Sequence, residues 1–128
     1  MSLFNTGVFR LHSGDLSNFK IDCDALTDED LQAVADVFGT QMMFGEIVGI
    51  PTGGNKLADC FVKWIGDSDI LLIVDDVLTT GTSMYREYDK AMQSGKWASV
   101  IGFVIFARGK VPDWVFPMFQ MPSGWDGI

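Results

Sequence analysis

The chain of 128 residues is 48% apolar and 20% charged, the make-up of one globular domain and not of a disordered polymer. Its formal net charge of −8 argues against a protein whose main task is to grip nucleic acid, because backbone binding needs clustered Lys and Arg. No apolar run approaches the ~20 residues of a membrane helix, and no basic stretch followed by a long apolar core marks a secretory signal, so no membrane role is expected.

Two cysteines, Cys23 and Cys60, are too few for a disulfide scaffold. They lack the Cys/His spacing of a metal site, so a reduced pair in the cytoplasm is expected. With His12 as the one histidine, a multi-His metal centre is excluded.

In chain order, residues 8–12 and 17–23 read as short extended pieces about Ser13-Gly14-Asp15. Thr27 is placed to N-cap a helix whose first turn carries Asp28, Glu29 and Asp30, favourable at the positive dipole end. Leu31, Val34, Ala35, Phe38 and Met42 recur on one helical face. Ile47-Val48-Gly49-Ile50 is a short buried strand, followed by the turn Pro51-Thr52-Gly53-Gly54-Asn55. A helix over about 56–65 then places Leu57, Phe61 and Ile65 on one stripe.

Five apolar residues, Ile70 to Val74, form the next buried strand. Asp75 and Asp76 stand at its C-terminal end, before a helix from about Thr82 to Gln93. Ser99 to Phe106 is another continuous apolar strand. From Lys110 onward Pro112, Trp114, Phe116, Pro117, Phe119 and Trp125 exclude a regular helix and leave three readings open: a flap over the core, part of a binding pocket, or a subunit contact.

Buried strands alternating with helices predict an α/β fold, an open parallel sheet with helices on both faces and right-handed crossovers. One domain is expected over 1–128: an amino-terminal hood-like segment (1–24), an α/β core (25–109) and an aromatic, proline-rich tail (110–128).

In such sheets small ligands bind outside the C-terminal ends of the strands. The Asp75-Asp76 strand ends there, in Thr79-Thr80-Gly81-Thr82-Ser83. A helix start beside a Gly/Thr loop offers N–H groups and a positive dipole end to phosphate. Adjacent carboxylates accept hydrogen bonds from sugar hydroxyls or help to hold a divalent cation. Together they point to a phosphorylated sugar; the bland alternative is a strand–turn–helix with two solvated Asp residues.

The run from the hydrophobic strand through DDVLTTGTS resembles the phosphoribosyl pyrophosphate (PRPP) motif of the type I phosphoribosyltransferases. That resemblance assigns Asp75 and Asp76 to the ribose, as the catalytic pair, and Thr79, Thr80, Gly81, Thr82 and Ser83 to the 5′-phosphate. It implies Mg²⁺ as cofactor, arriving with PRPP near Asp75 and Asp76 with no direct protein ligand set. The segment VGIPTGGNKLADCF is similar to the pyrophosphate loop of the same enzymes, which gives Thr52, Gly53, Gly54 and Asn55 to the diphosphate. Lys56 either meets the diphosphate or is a solvated first-turn residue.

FRLHSGDLSNFKIDC, residues 9–23, resembles the orotate phosphoribosyltransferase pattern, with Ser13, Gly14, Ser17 and Phe19 on matching positions. The resemblance places His12, Ser13 and Phe19 by the base, Phe19 as a stacking residue. His12 stands where that subfamily commonly carries a lysine; a structural or surface role is the alternative. PRPP and a nucleobase, an orotate-like pyrimidine favoured, are the implied partners, with a homodimer possible. The three resemblances cover about Phe9 to Phe106.

One departure stands out. Full-length members of the family carry a long, basic, mobile loop between the diphosphate-loop helix and the PRPP-motif strand. Here only Gly66-Asp67-Ser68-Asp69 fills that interval, with Lys56 and Lys63 the basic residues before it. Arg108 and Lys110 are the remaining basic candidates near the sheet edge; they read equally as solvated loop charges. A non-catalytic PRPP- or nucleotide-binding module is therefore the alternative function.

Overall fold

The computed structural model describes residues 2–10 and 16–121, with the backbone alone for 16–20. Strands β1 (Phe4–Arg10) and β2 (Leu16–Ile21) form an antiparallel hairpin whose register shifts between Thr6 and Phe9. After a short 3₁₀ turn, helix α1 runs over Asp28–Gly39. Thr27 caps it as expected: its hydroxyl accepts the Asp30 N–H at 3.1 Å, and the Asp30 carboxylate accepts the Thr27 N–H at 2.9 Å. This reciprocal box satisfies two helix-start donors.

Strand β3 (Glu46–Gly49), helix α2 (Gly53–Phe61), strand β4 (Ile70–Leu78), helix α3 (Thr82–Ser94), strand β5 (Ser99–Ala107) and strand β6 (Val115–Gln120) follow. The last four strands form one parallel sheet in the order β3-β4-β5-β6. Side chains alternate across β4: Leu72 and Val74 pack with α1 and α2 on one face, and Leu71 and Ile73 pack with α3 on the other. Apolar residues on both faces are what a parallel sheet sandwiched between helices requires, and the expected α/β architecture is present.

Three expectations are corrected. Helix α1 stops at Gly39, so Met42 lies beyond it, after the turn at Thr40 and Gln41. The last residue of the helix must be small: a Cβ on Gly39 would come within 2.6 Å of the Trp64 ring. Helix α2 begins at Gly53, three residues before the expected start, and ends in a 3₁₀ turn, Val62–Trp64. That turn breaks the 3.6 period, leaving Ile65 39% exposed while Leu57 and Phe61 are buried. Residues 115–120, within the expected tail, are the fourth strand of the sheet.

Trp114, just ahead of β6, explains why that strand belongs. Its ring stacks on Tyr88 of α3, centroids 4.3 Å apart. The same ring lies on β5, where a Cβ at Gly102 would meet it at 2.8 Å. Glycine at that point of a buried strand makes room for an indole.

Candidate functional site

Two strand-to-helix turns meet at the C-terminal edge of the sheet. Strand β4 ends at Leu78, and Thr79 to Gly81 turn the chain into α3. Gly81 has φ +79° at the N-cap position, a left-handed conformation that glycine adopts without steric cost. The first bond of the following turn comes from the Tyr85 N–H to the Gly81 carbonyl at 2.8 Å. Ahead of it stand the N–H groups of Thr82, Ser83 and Met84, which a helix start leaves without carbonyl partners of its own. The hydroxyls of Thr80 and Thr82 lie 3.0 Å apart across the loop.

Asp75, Val77, Leu78 and every residue from Thr79 to Met84 line one pocket of about 290 Å³. The five residues expected to hold a phosphate are therefore gathered around one space, with Asp75 of the acid pair among the residues that line it. Val77 and Met84 supply apolar lining there. They have the same sequence signature as any core residue, so no motif singled them out.

The second turn is tighter than a flexible glycine loop. Pro51-Thr52 is a cis peptide bond, and Gly53 and Gly54 are already helical. Neither has positive φ; their lack of a side chain serves close approach instead. A Cβ on Gly54 would lie 2.6 Å from the Val74 carbonyl oxygen. A Cβ on Gly53 would overlap the Asp76 carboxylate, 2.6 Å from its Cγ. The start of α2 is thus pressed against the end of β4. Thr52, Asn55 and Lys56 are exposed around it.

Between the two turns, Asp75 and Asp76 are half-buried. Asp75 accepts the Asp76 N–H at 2.8 Å, and Asp76 accepts the Val77 N–H at 2.7 Å. Burial, then the hydrogen bond and the negative charge of the Asp76 carboxyl, push Asp75 up to about 8, against the pull of the Asp76 N–H. A pair held this way wants a cation or hydroxyl donors beside it. Mg²⁺ is bound through one or two carboxylates plus substrate phosphates, and this donor set fits that mode. Among the described residues no group of three or more His, Cys, Asp or Glu forms a metal cage.

The amino-terminal hairpin comes to the same edge. Phe4 meets Phe106, near the end of β5, edge to face at 5.8 Å. Cys23, just after β2, lies in the field of the acid pair: burial, then Asp76 and Asp75, then Asp22 and Asp24, push its thiol up to about 12. It is a weak nucleophile, and nothing in the sequence around a lone cysteine marked its place. His12 and Ser13, expected by the base, lie outside the described residues, as does the Phe19 side chain; the Phe19 backbone pairs with Thr6.

Of the basic candidates, Arg108 is 4% exposed and so is no solvated loop charge. Its backbone N–H bonds the Leu78 carbonyl at 2.9 Å, which ties the chain after β5 to the end of β4. Lys110 is exposed. The connection between α2 and β4 is as short as the sequence implies. It lies at the N-terminal end of β4, across the sheet from the acid pair. No membrane-spanning helix occurs among the described residues.

No protein-family model and no curated protein matches the chain. Solved structures do. The orotate phosphoribosyltransferase from Aeropyrum pernix is 20% identical, with 93% of this chain and 88% of that one covered at a TM-score of 0.72. That from Mycobacterium tuberculosis, in complex with inorganic phosphate, is 13% identical, with 90% and 86% covered at 0.66. A hypoxanthine phosphoribosyltransferase from Staphylococcus aureus is 19% identical, with 77% of each chain covered at 0.55. With the two turns and the acid pair at one sheet edge, these likenesses show that the chain has the type I phosphoribosyltransferase fold.

Proposed function

We propose that the chain is a compact, Mg²⁺-dependent phosphoribosyltransferase of the orotate-like branch. A deprotonated ring nitrogen of a pyrimidine base attacks C1 of PRPP; the new C–N bond forms as the C–O bond to pyrophosphate breaks, and pyrophosphate leaves with the bonding electrons. Asp75 and Asp76 hold the ribose hydroxyls, residues 79–83 hold the 5′-phosphate, and Thr52 to Lys56 face the diphosphate. When bound, Mg²⁺ supplies positive charge to the diphosphate. His12, Ser13 and Phe19 are assigned to the base. A cytoplasmic homodimer acting in pyrimidine biosynthesis is the setting this reading implies.

One observation carries it: two strand ends bring two helix starts to either side of one acid pair, and the Thr79–Ser83 loop surrounds a pocket with Asp75 in its wall. The rival reading, a PRPP- or nucleotide-binding module without transferase activity, is favoured by the short α2–β4 connection on the far side of the sheet. Water exclusion and charge stabilisation normally contribute much to such a reaction.

Calorimetric titration with PRPP, with and without Mg²⁺ and with a panel of bases present, separates the two. Mg²⁺-dependent binding with pyrophosphate release on adding a pyrimidine is expected. Binding without release for any base favours the module; no binding, or unchanged affinity in the Asp75→Asn, Asp76→Asn double variant, removes the site assignment.

A further inference from the structure

The contact between Asp76 and Gly53 joins two parts of the site that the sequence presents as separate motifs. Helix α2 has no acidic residue in its first turn, and no side chain caps it. Such a start favours a negative charge, and a carboxylate from β4 occupies that place. The Asp76 carboxyl lies against the Gly53 Cα so closely that a single methyl group would overlap it. Its Oδ1 accepts the Val77 N–H at 2.7 Å. Two of the first N–H groups of α2 are already engaged: Gly54 with the Ile50 carbonyl at 2.8 Å, and Asn55 with Thr52 at 3.2 Å.

A diphosphate approaching this turn therefore meets a carboxylate at the mouth of the helix. We propose that Asp76 is the selectivity residue of the diphosphate loop, rejecting bare diphosphate and admitting it with a divalent cation. The inference rests on the assignment of residues 52–56 to the diphosphate. Like charges in contact repel strongly where water is partly excluded. Cation-bound diphosphate turns the same contact into an attraction. Asp75 lines the pocket beside residues 79–83, and its carboxyl, hydrogen-bonded to that of Asp76, is not the one against Gly53.

The probe is inorganic pyrophosphate in EDTA, titrated by calorimetry into the parent, Asp76→Asn, Asp76→Ser and Asp75→Asn. Measuring at pH 9, above the value of about 8 for Asp75, favours the ionised form of that carboxyl in the parent. Both Asp76 variants are expected to bind metal-free pyrophosphate at least ~10-fold more tightly than the parent, and Asp75→Asn by a smaller factor, because the Asp76 carboxyl is the one against the start of α2 and repulsion weakens with distance. Equal gains for both positions would mean diffuse repulsion and overturn the proposal, as would no gain in folded Asp76 variants. Parent binding of Mg²⁺·PRPP is measured alongside. If it is present while Asp76 variants gain nothing, the loop assignment stands and the selectivity role falls. If no protein binds either ligand, both fall.

Discussion

Asp75 is where the site and the stability of the fold pull against each other. Burial and the neighbouring Asp76 raise its folded value to about 8, against ~3.9 for an unfolded Asp. Between those values the folded chain binds more protons than the unfolded one, so stability falls as pH rises through the window. The contribution is fully retained below about pH 4 and lost by about pH 8. Asn keeps the shape and hydrogen-bonding capacity without the charge. Asp75→Asn is therefore expected to be more stable than the parent at pH 8.5, by on the order of 2 kcal/mol, with the gap closing toward pH 5.5. Urea melts at the two pH values check both sign and slope; a constant gap would place its cause outside this ionisation. An unfavourable charge of this kind is common at functional sites, and the proposed cation and sugar hydroxyls would relieve it.

At the level of the element, the two glycines that open α2 separate motif from packing. Both gain about 1 kcal/mol of helix propensity on replacement by Ala. At Gly53 the new methyl meets the Asp76 side chain, which has rotamers to move through; at Gly54 it meets the Val74 carbonyl, which is part of a central strand. Overpacking against fixed atoms costs about 1–3 kcal/mol or more. Gly54→Ala is thus expected to lose stability and Gly53→Ala to hold or gain it, a contrast read by the urea midpoints of the two variants. The Gly-Gly sequence suggests a loop of free φ and supplies no sign that the helix begins there. By contrast, the acid-pair strand, the Thr27 cap and the α3 start are legible because their signals are local: an apolar run, a side chain three residues from its partner, and a glycine at a helix boundary. The approach of Cys23 to the acid pair and of Asp76 to Gly53 depends on how α2 and the hairpin dock, and no residue pattern encodes that distance. Trp114 escapes notice for the same reason: its partner, Gly102, is an ordinary glycine until the indole is placed on it.

For the whole molecule, the position of β6 decides how much chain the fold needs. Strand β5 is buried from Val100 to Ala107, and it owes that to β4 on one side and β6 on the other. Without β6, a run of eight buried residues (100 to 107) becomes an uncharged edge, the kind that pairs with other chains. Loss of Val115 and Met121, 4% and 8% exposed, and of the Trp114 stack removes about 1.5–3 kcal/mol per large apolar side chain. A domain with about 5–15 kcal/mol in total does not survive losing several of these. Deleting residues 111–128 is therefore expected to give an unfolded or aggregated chain, seen as loss of a cooperative urea transition, and not a folded protein with an altered subunit contact. Trp114→Ala is the graded form of the same test. Its indole is only half-buried, so a loss of about 2–3 kcal/mol is expected, at or below the low end for aromatic truncation. The Tyr88 ring should then lose its stacked environment in the near-ultraviolet dichroism. A truncated chain that stays monomeric and melts cooperatively would show that three strands carry the core, and that 111–121 is a flap over it, one of the three readings the sequence leaves open.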